Sequence, residues 1–185
     1  RNRSTGVRGP ANLPSMQLRD GSVSDLPEAM GLLDAAVAWL ASRGRTGQWG
    51  AEPFSAVEAR VAQIRTMLSE RTARIAEEDG EVVGLCVLAD EPLPYVDPAP
   101  VPELYLQLLI TDRDRSGSGI GNILVDDAVE IARRRGVTQM RLDCYAADEA
   151  LIGVYEKFGF RLESRFTVET GQTKAWPGAI LRMEI

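Results

Sequence analysis

The chain of 185 residues contains no histidine. That absence removes catalytic triads that turn on imidazole and every metal site built on it, and no metal is expected. Cysteine is nearly absent too. Cys86 and Cys144 are the only two, both in apolar strand-like runs, which argues for a reducing, cytoplasmic setting rather than a disulfide-stapled scaffold. No apolar run approaches the ~20 residues that span a bilayer, and no apolar signal core follows Arg1-Asn2-Arg3-Ser4. A membrane partner is therefore not expected. Basic residues are in the minority, 21 against 27 acidic, for a net charge of −6. Such a surface repels phosphate backbones, so nucleic acid is not an expected partner, whereas cationic amines are attracted.

What is present reads as one globular domain. Hydrophobic residues make up 44% and charged residues 26%, close to globular averages. Residues 16–185 are read as a single domain, and residues 1–15 as a flexible arm or a foreign remnant, with Met16 a plausible natural start. A short strand at Met16–Arg19 precedes a helix whose apolar period runs through Leu26, Met30, Leu33, Val37 and Leu40 to a stop at Gly44. Asp25 and Glu28 have capping-box spacing, as do Ser55 and Glu58 ahead of a second stripe, Val57, Val61, Ile64 and Leu68.

The period then shortens to that of strands. Two of them, 73–78 and 81–88, flank Asp79-Gly80, a strong hairpin signal. A loop crowded with Pro92, Pro94, Pro98, Pro100 and Pro102 follows, then a strand over 103–110. A helix from Gly119 to Gly136, a strand at 139–145, a helix at 148–158 and closing strands near 161–170 and 179–185 complete the order. The hairpin demands antiparallel pairing and strand–helix–strand demands a parallel crossover, so the fold is α/β with a mixed sheet.

The chemistry-bearing segment is Ser116-Gly117-Ser118-Gly119-Ile120-Gly121-Asn122, between a buried strand and a helix start. That geometry offers backbone N–H groups and the positive end of a helix dipole to an anion. A Rossmann loop requires glycine where Asn122 stands, and a Walker loop requires Gly-Lys-Ser/Thr, which is absent. Glycines serving only a tight turn remain a further reading.

The element order and two motifs resemble the GNAT superfamily of acyl-CoA-dependent N-acyltransferases. The family's loop, Arg/Gln-x-x-Gly-x-Gly/Ala, maps onto Ser116-x-x-Gly119-Ile120-Gly121, and its last helix signature onto Asp148 through Tyr155 to Gly159-Phe160. The resemblance covers about residues 16 to 185. It departs at Ser116, where the family has Arg or Gln, with Arg113 and Arg115 close by, and at Asp148, where Asn is usual but Asp caps equally well. It implies a mixed, mostly antiparallel sheet of about seven strands, flanked by about four helices and splayed between the fourth and fifth strands. It implies acetyl-CoA as co-substrate, the primary amine of a small molecule as acceptor, direct attack in a ternary complex, and a homodimer as the assembly. The alternatives are a non-catalytic acyl-CoA-binding module, a protein N-terminal or lysine acetyltransferase and, less well supported, a nucleotide-binding domain.

Roles follow from the resemblance. Leu108, Leu109 and Ile110 would pair their main chain with the pantetheine arm. Arg115, Ser116, Gly117, Ser118, Gly119, Ile120, Gly121 and Asn122 would hold the pyrophosphate, with Asp148 and Tyr155 alongside. Tyr155 is the candidate acid returning a proton to the thiolate, against a reading in which it packs with Ile152 and Phe158. For the base, Glu103, Tyr105 and Gln107 share a face of an extended strand, opposite Leu104, Leu106 and Leu108. Glu103 and Tyr105 are the first candidates and Asp143 the second, with Arg141 its expected bland ion partner. Trp49, Gln107 and Trp176 are expected at the acceptor; Trp39 is expected in the core.

Overall fold

Asp79 and Gly80 both take positive φ, 53° and 83°. This is the mirror-image turn that matches strand twist, and it joins β2 (Thr72–Glu78) to β3 (Glu81–Ala89). The computed structural model describes residues 16–169 and 175–185; the N-terminal arm lies outside these. The remaining elements are β1 (Met16–Asp20), α1 (Leu26–Ala41), α2 (Glu58–Glu70), β4 (Leu104–Thr111), α3 (Ile120–Arg135), β5 (Gln139–Tyr145), α4 (Glu149–Lys157), β6 (Arg161–Val168) and β7 (Trp176–Glu184). Seven strands form one sheet in the order β1-β2-β3-β4-β5-β7-β6. All neighbours are antiparallel except β4 and β5.

Helices cover both faces. On one, Ile120, Leu124 and Ile131 of α3 and Ile152 of α4 pack on Leu104, Leu106, Met140 and Leu142. On the other, Leu33 and Val37 of α1 and Ile64 and Leu68 of α2 pack on Ile75, Leu85, Val87 and Ile110. No helix among the described residues is long and apolar enough to cross a membrane.

Two irregularities make the site. β4 carries one residue more than its partner: Val87 pairs with Leu108 but Leu88 with Leu106, leaving Gln107 as a bulge. The strict alternation expected of this strand therefore breaks. Leu104, Leu106 and Leu109 face α3, while Leu108 and Ile110 face α1 and α2. Leu108 is thus not on the face of Leu104 and Leu106. The second irregularity is a splay. β4 pairs with β5 only over Leu104–Leu106 against Met140–Leu142. Beyond that, Asp143, Cys144 and Tyr145 stay bonded to β7, and the two strands separate.

The first expected capping box is displaced and the second does not form. The box forms one turn earlier, where Ser22 accepts from Ser24 and the Ser22 amide donates to Asp25 at 2.8 Å. Ser55 turns away from α2 to donate to Asp34 at 2.5 Å, and α2 starts after Val57 with no side-chain cap. Trp176, expected in a loop, opens β7 opposite Val168.

Candidate active site

The splay leaves a cleft of about 410 Å³ between β4 and β5. Leu108, Leu109 and Ile110 line one wall; Asp143, Cys144 and Tyr145 line the other. The β4 edge that would have paired with β5 has no strand beside it past Leu106, so its main-chain groups face the cleft. An extended ligand can add to that edge as a strand would.

At the end of β4 the chain turns through Arg113–Arg115 and Ser116 into the glycine segment. Gly119 sits at φ 87° immediately before α3, a conformation that costs a side-chain-bearing residue strain. The first turn of α3 has neither a side-chain cap nor an acidic residue, so the amides of Ile120, Gly121 and Asn122 are available to an anion. The Ile120 side chain itself is buried in the core; only its main chain can serve a ligand. Gly121 lines the cleft, and a Cβ there would lie 2.9 Å from the Phe158 ring. Ser116, Gly117 and Ser118 are exposed.

Asp143 projects into the cleft from β5. One of its oxygens accepts from Tyr105 Oη at 2.8 Å and the other from Tyr95 Oη at 3.0 Å. Burial pushes the Asp143 carboxyl above its ordinary range, a push that the two phenol donors oppose. Both phenols are held protonated, chiefly by burial and also by the neighbouring carboxylate. Tyr155 lines the same cleft. Its ring meets Phe158 and Phe160 edge-on, with centroids 6.1 and 6.3 Å away, and burial raises its pKa, keeping the proton on. Packing and an acid role are thus both compatible with where Tyr155 sits. Burial likewise pushes the Cys144 thiol up to about 12, well away from thiolate chemistry.

The first base candidates lie elsewhere. Glu103 is 4% exposed at the closed end of the seam, where Arg141 grips it with two hydrogen bonds of 2.6 and 2.8 Å and Gln139 donates at 3.3 Å. It does not line the cleft. Arg141 therefore serves Glu103, not Asp143. Tyr105 is fully buried and reaches the cleft only through its bond to Asp143. Arg115, expected on the pyrophosphate, is taken up by Glu78, Glu81 and Asp112. Asp148 caps α4, accepting from Ala150 at 3.1 Å, and pairs with Arg45 at 2.9 Å.

On the α1/α2 side, Trp49 stands edge-on to Phe54 at 5.4 Å. Trp176 donates from its indole to the Gln48 carbonyl at 3.2 Å. Gln107 donates to the Glu91 carbonyl at 3.1 Å. All three line the cleft. Trp39 is not in the core: it is half-buried, with the Arg43 and Arg113 guanidiniums each 4.1 Å from its ring centroid. Tyr95 and Arg113 were not singled out as site residues from sequence. Tyr95 sits in a proline-dense loop with no periodicity, and only the fold brings it to Asp143.

Among curated protein sequences none matches the chain. Solved structures share its fold. An acetyltransferase of the GNAT family from Listeria monocytogenes 4b F2365 superposes with a TM-score of 0.67 at 21% identity, over 92% of this chain and 95% of that one. The ribosomal-protein-S18-alanine N-acetyltransferase of Escherichia coli gives 0.65 at 17%, over 92% and 94%. The yncA protein of Salmonella typhimurium, solved with its cofactor acetyl-CoA, gives 0.63 at 18%, over 91% and 93%. The model of the acetyltransferase (GNAT) family matches residues 32–160, well over half of the chain. With the splayed parallel pair and the uncapped helix start behind it, that match decides the matter: the chain belongs to the GNAT acetyltransferase family.

Proposed function

We propose that the protein transfers the acetyl group of acetyl-CoA to the primary amine of a small molecule, by direct attack in a ternary complex. The observation that carries this is the cleft itself. It has an unpaired strand edge on one wall, a carboxylate and a phenol at its lining, and an uncapped helix N-terminus at its mouth. These residues fit acetyl-CoA: the β4 edge suits an amide-bearing pantetheine arm, and the α3 amides suit a pyrophosphate. When bound, acetyl-CoA supplies an activated acyl carbon.

The chain's own groups supply the rest. Asp143 accepts a proton from the acceptor ammonium, directly or through one water, so that the amine can attack as a neutral nucleophile. Its raised pKa makes it a stronger base than an exposed carboxylate. Tyr95 and Tyr105 hold that carboxylate in one orientation. Main-chain amides of the unpaired β4 edge would polarise the acyl carbonyl with little reorganisation. Tyr155 keeps its proton at neutral pH and donates it to the departing sulfur. Trp49, Trp176 and Tyr145 wall off the acceptor side.

The test is thermal unfolding with acetyl-CoA, CoA, NAD or ATP, followed by thiol release over a panel of amines. Stabilisation by the two CoA species alone, together with turnover that Asp143→Asn abolishes, supports the reading. CoA binding with no turnover on any amine would instead leave an acyl-CoA-binding module.

A further inference from the structure

Among the described residues, one buried side-chain nitrogen or oxygen lacks a hydrogen-bond partner: Nε of Arg113. Arg113 lines the cleft and is half-buried. It packs over Trp39, which also carries Arg43 at the same 4.1 Å. Arg45 is close enough to act on it by charge. Burial and these two like charges all weaken its hold on a proton. Arg45 already has a carboxylate in Asp148, whereas among the described residues no acidic side chain pairs with Arg113 or Arg43. A half-buried guanidinium whose Nε is shielded and unpartnered, flanked by further cations, favours an anionic ligand that completes it.

We propose that Arg113, with Arg43 against the same Trp39 ring, is an anion subsite for the acceptor. The acceptor is then an amine that carries its own carboxylate or phosphonate, an amino acid in chemical class. This deepens the acetyl-transfer reading and rests on it. The position of the cluster assigns it to the acceptor rather than to the cofactor. Arg113 leans on α1, on the sheet face of Trp49 and Phe54. The uncapped α3 turn that suits a pyrophosphate packs on the opposite face, where Gly121 abuts Phe158 of the α3/α4 layer. A planar guanidinium matches a carboxylate with two parallel hydrogen bonds. Asp143 at the same cleft takes the ammonium end, so a zwitterion meets a complementary charge at each end.

The experiment compares phenylalanine, phenylalaninamide and phenethylamine as acceptors, with acetyl-CoA saturating, for the parent, Arg113→Gln, Arg113→Lys and Arg43→Gln. In the parent the acid should be favoured over phenethylamine in kcat/KM by about tenfold or more, the worth of a charge-assisted hydrogen bond. Arg113→Gln should collapse that ratio, Arg113→Lys should keep part of it, and Arg43→Gln should lower it less. An unchanged ratio would overturn the proposal. So would a rise in the KM for acetyl-CoA with the acceptor ratio intact, which would give the guanidinium to the cofactor phosphates. Thermal unfolding of the CoA-saturated proteins with each acceptor needs no turnover. A larger shift with phenylalanine than with phenethylamine, lost in Arg113→Gln, upholds the subsite even if the transferase reading fails, and equal shifts sink it.

Discussion

The seam between β4 and β5 has a closed end and an open end, and each holds a carboxylate, Glu103 buried at the first and Asp143 half-buried at the second. At the closed end Glu103 meets a guanidinium square on, both groups almost fully shielded from water. At the open end Asp143, two residues beyond Arg141 on the same strand, takes its side-chain hydrogen bonds from two phenols. The difference is chemical. A carboxylate locked to Arg141 has both oxygens taken up by a guanidinium and stands away from the cleft. A carboxylate held by neutral donors keeps its orientation while burial raises its affinity for a proton. One end of the seam thus ties two strands together, and the other end, where they part, turns its carboxylate to the cleft.

Breaking the closed end should have the larger effect on stability. Arg141→Met leaves Glu103 as an uncompensated buried charge, at a cost of about 3–5 kcal/mol. For a domain of this size that is a fall in melting temperature on the order of 10 °C. The double variant Glu103→Leu/Arg141→Met should recover most of it, because it removes both charges together. If the single variant melted with the parent, the pair would have no structural role and Glu103 would return as a candidate base.

Breaking the open end should do the reverse. Asp143→Asn is expected to lower kcat by about a hundredfold or more, the range for a positioned base, with the fold intact. Its effect on stability has a definite sign. The folded-state pKa of Asp143 is raised, so its favourable contribution is present below the unfolded-chain value and lost as pH rises through the folded one. Asp143→Asn should therefore melt no lower than the parent at pH 7, and any advantage should vanish toward pH 4. Loss of stability at pH 7 without loss of turnover would reverse the assignment of the two ends.

Tyr105→Phe sharpens the same contrast with a smaller change. The phenol donates to the ionised carboxylate and so holds the Asp143 pKa down. Removing it should move the acid limb of the kcat/KM–pH profile to higher pH. An unmoved limb would mean that Asp143 is not the group being titrated.

These ends were unequally legible in the sequence. The hairpin at Asp79-Gly80, the element order and the glycine turn follow from local chemistry, and the structure forms them as read. Strict period two was a sound rule for β4 until Gln107 bulged out, an event set by pairing with β3 that β4 alone does not encode. That one residue misplaced Leu108. Glu103 drew attention as a carboxylate one step upstream of Tyr105 on the same strand face, yet its partner Arg141 lies 38 positions away, and only the parallel register brings them together. Arg115 and Arg113 both stand close to Ser116, and only Arg115 was expected at the pyrophosphate. Contact with the β2–β3 hairpin neutralises the first, and contact with α1 strands the second over Trp39.

The smallest expected effect concerns how the open end is pinned. Asp148 caps α4 through the Ala150 amide and also pairs with Arg45 from the loop after α1. The two contributions separate by substitution. Asp148→Asn keeps an oxygen for the cap and loses only an ion pair whose Arg45 side is exposed, worth well under about 1 kcal/mol. Asp148→Ala loses the cap as well, for roughly 1 kcal/mol more. Thermal unfolding should therefore place the Asn variant within a few degrees of the parent and the Ala variant below it. The Asn variant also frees Arg45 beside Arg113, so its gap from the parent should widen at low salt, where the unpaired cations repel most strongly. A gap indifferent to salt would show that Arg45 contributes nothing to the charge at the cleft, leaving Arg43 as the one neighbour acting on Arg113 there.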